Sequence, residues 1–320
     1  MIGVYYAGLK LIYPKESEVS GRTVSSAILI LVLGSFFATL CDVFIKLAGS
    51  EVAIFQFTFL RAVFMCFILL PIVVLRLYRR SKSAVFLGLK LHFIRGNMWV
   101  LAAVLLVLSL AELSLATANA VFYTAPIFIM LFGAFFYKER LSMDVVLAAV
   151  LGFMGILVIL RPTEITFGMV SAILFAVVLA VNSLLIKKLP QQQDILYGLL
   201  VTQFFALPLA GGLALWEGEA FQIELLVYAA LSSVCSILYS VSCLVGYRYV
   251  ASSKVTSAEY SGLIFAFLIG WWIFGETPDV GLFIGSLFVI TPLLYLSHRD
   301  VKRLRREQML SNTRSNLGAG

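Results

Sequence analysis

The stretches "AFFYKERLSMDV" (residues 134–145) and "WWIFGETPDV" (residues 271–280) decide how this chain folds. Each ends an aromatic-rich apolar segment, makes a short polar link and opens another apolar segment. Glu139 and Glu276 match at a separation of 137, and Phe128 aligns with Phe265 at the same separation. Upstream, "FIKL" around Lys46 matches "LIKKL" around Lys187, 141 residues on. "IFQFTFLRAVF" from Ile54 aligns without gaps on "ILYGLLVTQFF" from Ile195, again at 141. The chain is therefore a duplication, with halves over 24–161 and 166–297.

Composition says where the halves reside. Hydrophobic residues make up 61% of the 320 positions and charged residues 13%. Soluble domains are about 45–50% apolar and about 25% charged. The apolar residues come in blocks of about 20, the length that crosses a hydrocarbon core as a helix. Strand-length alternation is missing, which argues against an outer-membrane barrel. Ten spans are expected, over 24–47, 53–75, 94–113, 117–137, 144–160, 166–186, 195–215, 223–246, 255–274 and 280–297. "AELSLATANA" must hold the turn between the third and fourth.

With the N-terminus placed in the cytoplasm, 21 of the 24 Lys and Arg residues fall in cytoplasmic segments and only Arg161 in an external one. Lys46 and Arg61 lie within spans. That asymmetry fixes orientation by the positive-inside rule, with both termini expected in the cytoplasm and the chain in a plasma membrane. The net charge of +7 then serves topology and anionic lipid, and no nucleic-acid partner is expected. Residues 1–23 are expected to form a cytoplasmic N-terminal segment, the first twelve of them on the membrane surface, and 298–320 a basic cytoplasmic tail. Trp216, Trp271 and Trp272 fall at the outer interface. Cys41, Cys66, Cys235 and Cys243 lie in spans without metal-ligand spacing and read as packing residues.

Five spans per half, an odd number, send the second half into the membrane upside down. Inverted repeats suit alternating access to a site at the midplane. Both halves resemble the repeat of the drug/metabolite transporter superfamily, EamA type. The most specific pieces are "TANAVFYTAPIFIMLFGAFFYKERL" and "EYSGLIFAFLIGWWIFGETPD", and the likeness covers residues 24 to 297. It implies ten helices, a central cavity between the halves and movement of small solutes without ATP. The chain departs from the family pattern at Leu263, where a proline is common; the first half keeps it as Pro126. Members resembling S-adenosylmethionine and riboflavin carriers share the "EYSGL"-like segment.

Ionisable residues inside spans cost at least about 2.5 kcal/mol at the bilayer centre and mark function by default. Asp42 and Lys46 are one turn apart on the first span. Arg61 lies roughly 12 Å into the second, at the depth of Asp42. An Asp42–Arg61 pair is expected, either locking two helices or serving as a gate or a site for a charged substrate group. Lys46 is expected to snorkel to the surface. Asn119, Tyr123 and Pro126 share a stripe of the fourth span, where the proline frees a carbonyl near Phe122. Asn182 and Gln203 are mid-membrane polar groups suited to lining a cavity. On the ninth span, Glu259, Gly262, Ala266 and Gly270 share a small-residue face, opposite Leu263, Phe267 and Trp271. Glu259 therefore points inward, beside Tyr260. Its counterpart in the first half is Phe122, so the acid breaks the repeat. It either anchors at the cytoplasmic surface, near Arg248 or Lys254, or lines the cavity and binds a cationic substrate group or a coupling proton. Ser232, Ser233, Ser236 and Ser240 read as close-packing residues. The pairs Gly281/Gly285 and Ala148/Gly152 pack within the molecule or form a homodimer.

No phosphate loop, dinucleotide turn or catalytic His–carboxylate pair is present, and His92 and His298 fall in basic cytoplasmic segments. No enzyme, metal or cofactor is expected. The reading is a secondary transporter of a small organic metabolite working by alternating access; alternatives are a flippase of a lipid-linked substrate or, behind it, a membrane enzyme.

Overall fold

A computed structural model describes residues 21–49, 52–79, 88–137, 143–160, 165–186, 188–189, 193–248, 256–277 and 279–317. Helices form where the apolar blocks lie: α1 (Gly21–Leu47), α2 (Ile54–Arg79), α3 (Leu89–Glu112), α4 (Leu115–Phe122), α5 (Ala125–Tyr137), α6 (Met143–Leu160), α7 (Phe167–Ile186), α8 (Ile195–Glu217), α9 (Glu224–Arg248), a 3-10 turn (Thr256–Tyr260), α10 (Ser261–Phe274) and α11 (Val280–Leu317). Among the described residues no strand occurs. Seven helices are long and apolar enough to cross a membrane, and three shorter apolar ones (Val146–Leu160, Ala258–Phe274 and Val280–Leu296) bring the total to ten. The last helix runs without a break into the basic tail, as far as Leu317. The N-terminal segment, Lys138, Glu139, Arg140, Lys187 and Lys254 lie outside the described residues.

The links follow local chemistry. The turn inside "AELSLATANA" falls at Leu113–Ser114, where Ser114 caps α4 by accepting from the Thr117 N–H. Asp194 caps α8 in the same way, accepting from Leu196 and Tyr197 N–H. Gly275, at φ 64°, ends α10 in a left-handed conformation that only glycine adopts without strain. The fourth span is two helices rather than one. It breaks at Tyr123–Thr124 because Pro126 supplies no N–H to the Phe122 carbonyl. The ninth span begins instead with a 3-10 turn and continues as α10.

Packing repeats as the sequence does. α1 lies on α9 and, in the other half, α7 lies on α3. The pair α3 and α8 is matched by α9 and α2, and α5 on α7 by α10 on α1. α2 on α8 and α6 on α11 join equivalent helices of the two halves. Each half thus completes the other instead of forming a separate bundle. At the α6–α11 contact the backbones nearly touch: a Cβ on Gly285 would stand 2.6 Å from the Gly155 carbonyl oxygen. A Cβ on Gly152 would meet Ile127. These small-residue faces are filled inside the molecule. Ser232, Ser233 and Ser240 are likewise buried in α9, while Trp216, Trp271 and Trp272 are exposed, as belt residues are.

Candidate functional site

The two interrupted helices meet in the interior. Tyr123 follows α4 and Tyr260 closes the 3-10 turn; they are repeat equivalents, 137 apart, and their ring centroids stand 5.7 Å apart. Interruption frees backbone carbonyls, and side chains from the other half satisfy them. Tyr123 donates to the Glu259 carbonyl oxygen (3.0 Å), as does the Ser35 hydroxyl (3.1 Å). Thr39 donates to the Gly262 carbonyl oxygen (3.1 Å). The approach is so close that a Cβ on Gly262 would lie 2.2 Å from the Tyr123 hydroxyl.

Glu259 is 5% exposed. Its carboxylate lies in the interior, 3.7 Å from the Cys243 thiol, which donates to Oε1. The carboxylate is buried rather than exposed; the Arg248 side chain and Lys254, the partners of the surface-anchor reading, lie outside the described residues. The small face of α10 (Gly262, Ala266 and Gly270) is buried as expected. Leu263 on the other side is buried too, so only Trp271 of that expected outward set is strongly exposed.

One turn along α4 from Tyr123, Asn119 donates to the Asp42 carboxylate (3.1 Å) and to the Leu115 carbonyl. Asp42, Thr39 and Ser35 stand at spacings of three and four on α1, with Lys46 four residues on. This polar stripe faces α4 and the interruption of the ninth span along its whole length. The sequence carried this signal in full, yet only Asp42 and Lys46 stand out as charges.

Two expectations fail. Asp42 and Arg61 form no ion pair: Arg61, 4% exposed, sends Nη2 to the Cys41 thiol at 3.5 Å and lies over the Trp99 ring at 5.8 Å. Lys46 does not snorkel. It pairs with Glu276 (3.2 Å) and donates to the Leu110 and Leu113 carbonyls. Glu276 also accepts from the Leu115 N–H (2.8 Å), so one carboxylate ties the α10–α11 link to α1 and to the start of α4. His92 and Arg95, in the first turns of α3, are buried. His92 is fully buried between Thr202 (3.0 Å) and Gln193 (2.9 Å), and Arg95 donates to Asn182 (3.1 Å). Asn182 thus belongs to a cluster with Arg95, on α3 and α7, away from the Glu259 interruption. Gln203 is buried with an unpartnered Oε1.

The end that carries Lys46 is cross-braced throughout. Glu217 accepts from the Phe55 and Gln56 N–H groups at the start of α2. Glu112 accepts from Gly168 N–H at the start of α7 (2.7 Å). Carboxylates at helix N-termini satisfy orphan donors and complement the dipole.

A separate cavity of about 620 Å³ lies between α6 and α11, lined by Leu147, Leu151, Ile284, Leu287, Phe288 and Tyr295 among others. None of the buried polar residues above lines it.

Two repeats, interlocked and broken at equivalent points around buried polar groups, match the EamA-like transporter family over residues 25–161 and 166–297. The chain belongs to the EamA-like transporter family. It is 25% identical over 272 residues to the S-adenosylmethionine uptake transporter of Rickettsia conorii, covering 83% of this chain and 90% of that one. It is 25% identical over 284 residues to the pseudopaline exporter of Pseudomonas aeruginosa, covering 86% and 96%. A riboflavin transporter of Vibrio cholerae is 26% identical over 199 residues, 60% of this chain and 65% of its own length. A solved crystal structure shares the fold at 17% identity with a TM-score of 0.55, over 88% of this chain. The chain is a multi-pass membrane transporter of small organic solutes, not an enzyme.

Proposed function

We propose that the protein moves a small organic metabolite bearing a cationic group through a site built around Glu259, Asp42, Asn119, Tyr123 and Tyr260. The two repeats, 24–161 and 166–297, alternate access to it, with Arg61, Asn182 and Gln203 as further polar stations. Both termini are cytoplasmic in a bacterial inner membrane, as the charge asymmetry supports. The Lys46–Glu276 brace then closes the external end. The carrying observation is Glu259: a buried carboxylate at the interruption of one repeat, where the other repeat has Phe122. Mere packing needs no acid there, and burial without purpose is costly. The relatives named for S-adenosylmethionine, pseudopaline and riboflavin support a nitrogen-rich organic substrate.

Reconstitution in liposomes tests the reading. Glu259→Gln keeps the side-chain shape and is expected to insert normally, lose concentrative uptake or its pH dependence, and retain some exchange. Wild-type rates with wild-type pH dependence in that variant would remove Glu259 from the site.

A further inference from the structure

We infer that Arg61 holds the carboxylate of the transported molecule, so that the substrate is a zwitterion. The inference rests on the transporter reading above and adds an anion subsite to it. Arg61 is buried on α2, and its guanidinium has five donors that never deprotonate. Nη2 reaches only the Cys41 thiol, a poor acceptor, and Nε has no partner. Among the described residues no carboxylate stands within ion-pair distance of it; Asp42, whose carboxylate accepts from Asn119, acts on it only through space. A buried cation left this bare is expensive unless a further anion completes it.

The other buried arginine shows what a satisfied guanidinium looks like, although it is not the repeat counterpart of Arg61, which the 141-residue separation carries onto Thr202. The 141-residue separation carries Cys41 onto Asn182. At Asn182, the other deeply buried arginine of the interior, Arg95, finds an amide oxygen for its Nε at 3.1 Å. At Cys41 the matching acceptor is missing. A planar carboxylate suits the guanidinium fork. The face of Trp99 supports the guanidinium from another side. Asp42, next to Cys41 on α1, disfavours a free dianion and favours an anion that carries its own cation. The subsite therefore selects molecules with an ammonium, sulfonium or similar cation beside a carboxylate.

Cys41 offers a test that needs no known substrate. With Cys66, Cys235 and Cys243 changed to Ala, Cys41 is challenged from both faces with two methanethiosulfonates. One carries a sulfonate, the other a trimethylammonium; in each case the thiolate takes the reagent's thioalkyl group and methanesulfinate leaves. Rates are normalised to free cysteine. The anionic reagent is expected to react severalfold faster than the cationic one, because the Arg61 guanidinium touches the thiol while the neighbouring Asp42 offsets only part of its field. Arg61→Gln should abolish the preference and Arg61→Lys should keep it. S-adenosylmethionine slowing the reaction while its decarboxylated form does not would place a substrate carboxylate there. Equal protection by both, no preference, or no reaction with either reagent would overturn the assignment. Labelling requires no transport, so an unreactive Cys41 in protein that still moves solute in liposomes would strike the subsite alone.

Discussion

The breaks in the fourth and ninth spans are the same device built twice, and they differ in what fills them. In the first half Phe122 precedes the break, fully buried, with its ring 4.5 Å from Phe175. In the second half the equivalent residue is Glu259, and the residue 141 before Phe175 is Gly34. Where one side holds two rings packed edge to face, the other holds a carboxylate beside a helix without a side chain at the matching point. Gly34 packs directly on α9, where a Cβ would stand 2.8 Å from Ser242 Cβ. Duplication supplies a hinge on each side. Only one of the two breaks carries a carboxylate, and the proposed site is built on that difference.

That contrast can be broken at four points. Copying the first half onto the second with Glu259→Phe should have the largest effect. Transport should fall roughly a hundredfold, the loss of an ionic contact of about 3 kcal/mol, with insertion and melting near normal. Retained transport would make the acid a filler like Phe122. The complementary change, Phe122→Ala, should act on stability alone. It should cost about 3 kcal/mol in unfolding, while transport per folded molecule stays near wild type; a transport defect at full stability would put Phe122 in the site.

Gly262→Ala tests the close approach of the two halves. Its counterpart, Ala125, already carries a Cβ, so the backbone permits one; the obstacle is the Tyr123 hydroxyl. About 2 kcal/mol of destabilisation is expected from the overpacking, relieved in part by adding Tyr123→Phe. Smallest is the comparison of the tyrosines themselves. Tyr123→Phe removes the bond to the Glu259 carbonyl and should cost about 1 kcal/mol. Tyr260→Phe should be nearly silent, since among the described residues its hydroxyl makes no hydrogen bond. Equal melting shifts for the two would mean that the bond across the halves contributes nothing.

Orientation is checked separately by accessibility. A single Cys replacing Ala220 should react with an impermeant reagent outside intact cells, and one replacing Ser81 only after permeabilisation. Reaction of both from one side would break the inverted arrangement.

The fold was legible because it rests on two coarse signals, block length and repeat spacing, which a membrane enforces strongly. The inward face of Glu259 was legible for a similar reason: Gly262, Ala266 and Gly270 mark a face that must meet another helix. The pairings were not legible. Asp42 and Arg61 share a depth, but depth does not fix azimuth, and Asn119 on a third helix takes the carboxylate. Lys46 was assigned to the surface because its length allows snorkelling, when two carbonyls at the end of α3 and a carboxylate 230 residues further on stood within reach. The partners of His92 and Arg95 were not legible because a basic segment at the start of a span does not say which way its side chains point. The helical register of α3 turns both against α7 and α8.

The Lys46 brace has a kinetic meaning. All three ammonium hydrogens are committed, two to carbonyls and one to Glu276, which also holds the Leu115 N–H. These bonds share atoms, so they break together rather than one by one. At about 1 kcal/mol each, four of them leave that end open for roughly one part in a thousand of the time. On the proposed function, that end would stay shut to ions and protons in the intervals between cycles, and leak across it would be set by how rarely this one lysine lets go.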